Sequence, residues 1–428
     1  MAHDPPGSRM SFDLAVVGLG YVGMPLAREA ATRGLRVLGV DSDSERVASL
    51  NAGFSPVGDL SDGELRAMLD GGFRVVADPA ELAFSDTIVV CVPTPLAEAY
   101  QPDLTAVVQA ITDIAENLTP GTLVVLESTT WPGTTDSVVR PLLERSGLTA
   151  GVDFHLAYSP ERIDPGNGEF GLANTPKVVG GLTPACRDRA VAFYGKIVPR
   201  VAPTRGLREA EMAKLIENTY RAVNIALVNE MATFCADLGV DIWDSIEAAG
   251  TKPFGFQKFL PGPGVGGHCI PVDPSYLSHA VRRHGYPFRM AELAQEINDA
   301  MPSWVLTRIQ HTLNQAGKPV NGSQILLLGI TYKSDVADAR GTPALPLARS
   351  LRRLGARIRY GDPFVRHWSV DQHLIPGEQV LDSAVAEADL VVLLQSHSAF
   401  DLEMIGREAR LVLDTRGVLQ RRGNVVRL

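Results

Sequence analysis

Residues 13–41 read DLAVVGLGYVGMPLAREAATRGLRVLGVD. A short apolar run, a glycine turn, a helical pattern and a second apolar run ending in Asp41 spell strand, helix, strand. Gly18, Gly20 and Gly23 form GxGxxG at the mouth of the helix, around Tyr21 and Val22. Glycines there permit a tight turn and let a pyrophosphate approach unpaired N–H groups and the positive end of the helix dipole. GxGxxG alone is weak, and a glycine-rich turn in an empty α/β domain is its bland alternative. Strand, spacing and an acid about twenty residues on tip the balance. A carboxylate at Asp41 accepts from ribose hydroxyls and repels the extra phosphate of NADP, so NAD is the expected cofactor. Arg46 either covers the adenine or a phosphate, or is a solvated helix arginine; both readings stand.

Outward from this unit, apolar runs at Thr87–Val92, Leu123–Leu126 and His155–Tyr158 predict a mostly parallel sheet, in an NAD-binding domain over residues 11–202. From Glu209, EAEMAKLIENTYRAVNIALVNEMATFCADLG keeps helical spacing for about thirty positions, longer than an ordinary globular helix. It is read as the spine of a central helical domain, 203–317, and as a surface for a second subunit. After a Gly/Pro-dense loop and more helix, QILLLGITYK, ARIRYGDP, DLVVLLQ and RLVLDTRG restore strand–helix alternation in a third part, 318–428. The expected fold is therefore α/β: two Rossmann-like domains joined by a long central helix and a helical middle. GITYK replaces GxGxxG in the third part, which makes it a poor second NAD seat and a candidate seat for UDP.

The chain has 428 residues, 45% hydrophobic and 21% charged, with a formal net charge of -9, which argues against a nucleic-acid-binding surface. No apolar stretch is long enough to span a bilayer, and residues 1–10, MAHDPPGSRM, lack signal-peptide regions; a cytoplasmic protein with a poorly ordered tail is expected. Cys91, Cys186, Cys235 and Cys269 show neither a CxxC pair nor a Cys/His ligand spacing, so no metal and no disulfide framework are expected.

Cys269 differs from the other three, for it lies in GVGGHCIPVDP, just before an expected helix start, where a thiol tends to a lowered pKa. His268 is adjacent in sequence and so points elsewhere, whereas Asp273, four residues on, can orient a lysine or a water; its bland reading is an N-terminal helix acid. Lys214 and Asn218 lie one helical turn apart, and a lysine with an amide can stabilise a developing alkoxide, although such a pair is more often solvent-facing. Glu127, Ser128 and Thr129 at one strand end and Glu161 after another stand where an α/β crevice holds ligands.

Taken in order, GLGYVGMPLA, ESTTWPGTT, SPERIDPGN, EMAKLIENTYRAVNIALVNE, PGPGVGGHCIPVDP and GITYKSDVADARGTP resemble the UDP-glucose/GDP-mannose dehydrogenase family over nearly the whole chain. The resemblance implies a four-electron oxidation of the C6 alcohol of a nucleotide sugar with two NAD, through a cysteine thiohemiacetal and thioester. By it, Cys269 is the nucleophile, Lys214 the oxyanion stabiliser with Asn218 beside it, Asp273 a support for water or lysine, Glu161 the carboxylate serving hydrolysis, and Thr129 a water or cofactor contact. Lys333 and Arg340 resemble the pair closing over sugar nucleotide and cofactor; Pro93 and Thr94 join the cofactor-binding set, Arg162 and Gly266 the substrate-binding set. His268 before the cysteine and Val272 before Asp273 resemble the branch acting on UDP-N-acetylhexosamines, as does TKPFGF at 251–256. UDP-N-acetylglucosamine is the expected substrate, ahead of the mannosamine and galactosamine epimers and UDP-glucose, with a homodimer or larger assembly. Two rivals remain: a two-electron β-hydroxyacid-type dehydrogenase, which needs neither the cysteine loop nor a third domain, and a silent NAD or UDP-sugar binder, which needs neither Cys269 nor Lys214.

Overall fold

In a computed structural model that describes residues 11–55, 57–58, 60–96, 102–163, 169–267, 270–378 and 380–428, the chain divides into two compact units. One comprises Met1–Glu217 with Ser275–Tyr286, the other Asn218–Pro274 with Pro287–Leu428. The division falls inside the long helix, Leu207–Cys235.

The first unit is built on eight strands, β1 (Leu14–Val17), β2 (Val37–Val40), β3 (Arg74–Val76), β4 (Thr87–Val90), β5 (Leu123–Leu126), β6 (His155–Tyr158), β7 (Lys177–Gly181) and β8 (Val201–Pro203). Their order is β3-β2-β1-β4-β5-β6-β7-β8, parallel except where β7 runs against β6. The run of six from β3 to β6 is the doubly wound dinucleotide-binding order, whose reversal between β1 and β4 opens a crevice beyond the strand ends. The apolar strands are buried on both faces. In β1, Leu14 and Val16 enter one core with Val89 and Val125, while Ala15 and Val17 enter the opposite core with Val90 and Val124. That two-residue alternation with no polar member is what a parallel sheet between helical layers demands.

In the second unit β9 (Gln324–Leu328), β10 (Arg357–Gly361), β13 (Leu390–Leu393), β14 (Val412–Asp414) and β15 (Val425–Arg427) pair in parallel in the order β10-β9-β13-β14-β15. The intervening β11 (Trp368–Val370) and β12 (His373–Ile375) form a separate antiparallel hairpin. Leaving the hairpin out, the order is 2-1-3-4-5, a second doubly wound sheet whose reversal lies between β9 and β13. Leu390 and Val392 face one core and Val391 and Leu393 the other. The remainder of this unit is helical, with Ile242–Gly250 packed on the far end of the long helix through Val228, Ala232, Cys235, Trp243 and Ile246, and a further helix over Arg289–Gln315. Among the described residues no helix is long and apolar enough to cross a membrane.

Candidate functional site

The glycine turn between β1 and the helix Gly23–Thr32 is a cradle that side chains would fill. Gly18 has φ of +93°, and a Cβ there would stand 2.9 Å from the Cys91 carbonyl oxygen; a Cβ on Gly23 would fall 1.9 Å from the Gly18 oxygen. A Cβ on Gly20 would meet nothing within 4 Å, so the backbone there is open to a ligand. Tyr21 is exposed and Val22 half-buried. Asp41, buried just beyond β2, accepts from the Leu19 N–H inside the turn at 2.8 Å and from Asp43 N–H at 3.0 Å. Arg46 resolves toward the turn, its guanidinium donating to Asp41 Oδ2 at 3.0 Å while Asp43 caps its helix. Turn, acid and arginine form one braced unit, and the steric exclusions together with the open face at Gly20 fit an NAD pyrophosphate and ribose.

Across the strand reversal, Pro93 is exposed and Thr94 half-buried beyond β4. The Tyr276 hydroxyl donates to the Thr94 carbonyl at 2.6 Å, and the Ser128 hydroxyl to the Val92 carbonyl at 2.7 Å. Thr129 follows, half-buried, before a turn held by Glu211 on the long helix. The buried Glu211 carboxylate accepts from Gly133 N–H at 2.5 Å, Thr135 N–H at 2.9 Å and Thr135 Oγ1 at 2.7 Å. Burial raises its pKa above the usual range despite these donors.

One turn beyond Glu211, Lys214 is buried and its Nζ donates to the Glu161 carbonyl oxygen at 2.5 Å. Two sequence-predicted residues are thus brought together across 53 positions of chain. The Glu161 carboxylate accepts from Ile163 N–H at 2.5 Å, and its Oε2 lies 3.8 Å from Lys177 Nζ. Lys177, which no motif singles out, starts β7 and is only 3% exposed; it pairs with Glu127 Oε1 at 2.9 Å, and Glu127 also takes the Tyr194 hydroxyl at 2.5 Å. Burial pushes Glu127 up, with Lys177 pulling the other way. Burial would discharge Lys177, but Glu127 and Glu161 hold it above its ordinary value. Removing one partner of such a buried pair costs about 3–5 kcal/mol, because the other is left uncompensated. Arg162 is tied to the scaffold, donating to the Pro176 carbonyl at 2.6 Å and pairing with Glu217 at 2.7 Å.

In the second unit Asn218 Nδ2 donates to the buried Asp273 carboxylate at the start of the helix Asp273–Arg282. Asp273 therefore meets the amide predicted beside Lys214. The loop before it packs hard on the segment after β9: a Cβ on Gly266 would stand 2.7 Å from Tyr332 Cβ, and one on Gly267, at φ +86°, 2.9 Å from the Tyr332 ring. Lys333 follows, half-buried, and exposed Arg340 forks onto Asp338, with Nη2 to Oδ2 at 2.6 Å and Nε to Oδ1 at 2.9 Å. A buried pair unmarked in the sequence anchors this segment. Asp362 Oδ2 takes Ile330 N–H at 2.7 Å and sits 3.1 Å from His397 Nε2, while His397 Nδ1 accepts from Asp335 N–H at 2.9 Å. With Nδ1 accepting, the ring proton belongs on Nε2 facing Asp362. Burial works to raise Asp362, but the hydrogen bonds from His397, Phe364 and Ile330 outweigh it and keep the carboxyl low.

Cys269 and His268 lie outside the described residues. Of the other cysteines, all buried, Cys91 has its thiol pushed well above the ordinary range by burial, as unsuits a nucleophile. Among the described residues no group of three His, Cys, Asp or Glu side chains is placed to hold a metal.

Comparison with known proteins matches residues 12–198, 208–300 and 326–421 to the NAD-binding, central and UDP-binding domains of the UDP-glucose/GDP-mannose dehydrogenase family. The UDP-N-acetyl-D-glucosamine 6-dehydrogenase of Pseudomonas aeruginosa is 34% identical, over 97% of this chain and 99% of its own. The NDP-N-acetyl-D-galactosaminuronic acid dehydrogenase of Ralstonia solanacearum is 36% identical, over 95% and 96%. The solved structure of the UDP-D-ManNAc dehydrogenase of Pyrococcus horikoshii superposes with a TM-score of 0.87 at 33% identity, covering 97% of this chain and 98% of that one. With the NAD cradle and the doubly wound sheets in place, the chain belongs to the UDP-glucose/GDP-mannose dehydrogenase family and is an NAD-dependent nucleotide-sugar dehydrogenase.

Proposed function

We propose that the protein oxidises the C6 hydroxyl of UDP-N-acetylglucosamine to the carboxylate in two successive steps. The observation that carries this reading is the hydrogen bond from the Lys214 ammonium to the main-chain carbonyl of Glu161, which brings the residue read as the alkoxide's cation against the residue read as the water's base. The curated relatives described above act, by their names, on N-acetylated hexosamine derivatives, and the His268–Cys269 loop supports the same substrate class.

NAD, when bound in the glycine cradle, accepts hydride at each oxidation. The chain does the rest. Lys214 stabilises the C6 alkoxide, and Asn218, bonded to Asp273, fixes the geometry around it. Cys269 adds to the aldehyde, and loss of a second hydride from the thiohemiacetal leaves a thioester. Glu161 takes a proton from the water that releases the acid. Asp41 excludes the extra phosphate of NADP, while Thr129, Pro93 and Thr94 line the cofactor side. On the segment braced by Asp362 and His397, Lys333 holds the sugar nucleotide and Arg340 the cofactor.

The test is purified protein with limiting UDP-N-acetylglucosamine and excess NAD, counting NADH per sugar. The expected ratio is two. A ratio of one overturns the four-electron reading in favour of the β-hydroxyacid type, and turnover only with the mannosamine or galactosamine epimer replaces the substrate while keeping the chemistry.

The same reading takes the enzyme as a cytoplasmic homodimer or larger. Exposed Tyr220, Leu227, Met231 and Phe234 recur at helical spacing along the long helix, an apolar stripe suited to a second copy. Sedimentation is expected to return at least twice the chain mass, with Leu227→Glu shifting it toward the monomer; a wild-type monomer at micromolar concentration would rule the dimer out.

A further inference from the structure

Lys177 has no part in the chemistry described so far, yet it is built into the same place. Its ammonium is 2.9 Å from Glu127 Oε1, 3.4 Å from the Pro160 carbonyl and 3.8 Å from Glu161 Oε2, and it lies 5.3 Å from the centre of the Tyr194 ring. A lysine at the head of a strand buried along its length is costly unless the cation is matched. Glu127 alone would match it. The second carboxylate is the informative one, because Glu161 is met at both oxygens: Ile163 N–H bonds Oε1 and the Lys177 ammonium stands at ion-pair distance from Oε2. Glu127 is fixed in turn by the Tyr194 hydroxyl on Oε1, while its buried Oε2 has no hydrogen-bond partner among the described residues. The cation is thus a shared counter-ion, anchored by a carboxylate away from the chemistry and turned toward the one in the reaction.

We propose that Lys177 is a positioning residue for Glu161 in the hydrolytic step, aiming its carboxylate while Glu127 anchors the ammonium. The inference rests on the reading of Glu161 as the base. In that step a water oxygen bonds to the acyl carbon of the Cys269 thioester and the C–S bond breaks. The sulfur leaves as thiolate with the bonding pair, and the proton lost by the water goes to Glu161. Lys177 keeps its three protons throughout. The groups facing the pair are Glu127 beyond β5, Tyr194 on the helix Pro184–Tyr194, the Cys91 thiol beyond β4 and the Lys214 ammonium on the Glu161 carbonyl.

The experiment is stopped-flow NADH formation with the N-acetylhexosamine nucleotide that the enzyme turns over, comparing wild type with Lys177→Met, Lys177→Arg and Glu161→Gln. Lys177→Met is expected to keep an NADH burst approaching two per site while the steady phase slows about 10- to 100-fold. Lys177→Arg, which keeps the cation, restores part of the steady rate. Burst and steady phase falling in parallel, with no rescue by Lys177→Arg, would overturn the proposal and leave Lys177 a packing residue. Glu161→Gln separates the two readings: an undiminished steady phase there refutes Glu161 as the base, whatever Lys177→Met does. Should Lys177→Met fail to fold, Glu127→Gln/Lys177→Met removes one carboxylate with the cation, and the same two readouts decide.

Discussion

Cys269→Ser is expected to lower steady-state turnover by at least about 10³-fold while leaving NAD and nucleotide-sugar binding intact. A serine hydroxyl is a far weaker nucleophile than a thiolate at neutral pH, so the variant should form no covalent adduct. The first oxidation, alcohol to aldehyde, needs no thiol. Residual NADH in the variant should therefore approach one per sugar instead of two, with the aldehyde trapped by a hydrazine. Intact-mass measurement of the wild type quenched during turnover should show the sugar nucleotide attached, and the variant should not. A serine variant that still yields two NADH per sugar within tenfold of the wild-type rate removes the covalent mechanism.

Lys214→Met is the second large effect, about 10²- to 10³-fold in kcat, or roughly 3–4 kcal/mol of lost transition-state stabilisation. The methionine fills the buried space, so the loss reports the charge and not a cavity. Its expected mark is a primary isotope effect with C6-deuterated substrate, since hydride departure from an alkoxide without its cation becomes limiting. The burst seen with altered hydrolysis should be absent here. A variant whose loss falls wholly on KM would make Lys214 a binding group and return the alkoxide to another donor.

The parts of this protein that the sequence discloses are those whose chemistry is local. The turn at Gly18–Gly23, the acid at Asp41 and the first two strands lie within about one βαβ span, and their spacing alone predicts the turn and the acid, though not the hydrogen bond that ties them. Lys214 and Glu161 are found through the motifs around them. Lys177, Tyr194, Glu211 and His397 are not, because each owes its meaning to a partner tens of residues away in the chain: Tyr194 to Glu127 at a separation of 67, Thr135 to Glu211 at 76, His397 to Asp362 at 35. A lysine opening KVVGG looks like the solvated end of a strand until the sheet order puts it beside two carboxylates. Strands β8, β11 and β12 escape for a simpler reason, being three residues long, too short for a periodicity to register. Arg46 has two equal readings in the sequence, and its hydrogen bond to Asp41 is visible only in the fold.

The contact of Gly266 and Gly267 with Tyr332 has a bearing on how such enzymes diversify. Two stretches some sixty-five positions apart in the chain are fitted to each other without room for a methyl group, so neither is free to drift alone. Transplanting the loop at 261–267 from a relative of different sequence would carry over an incompatible joint unless residues 332 and 341–343 travelled with it. The two segments form one steric unit, and an engineer should cut and exchange both together.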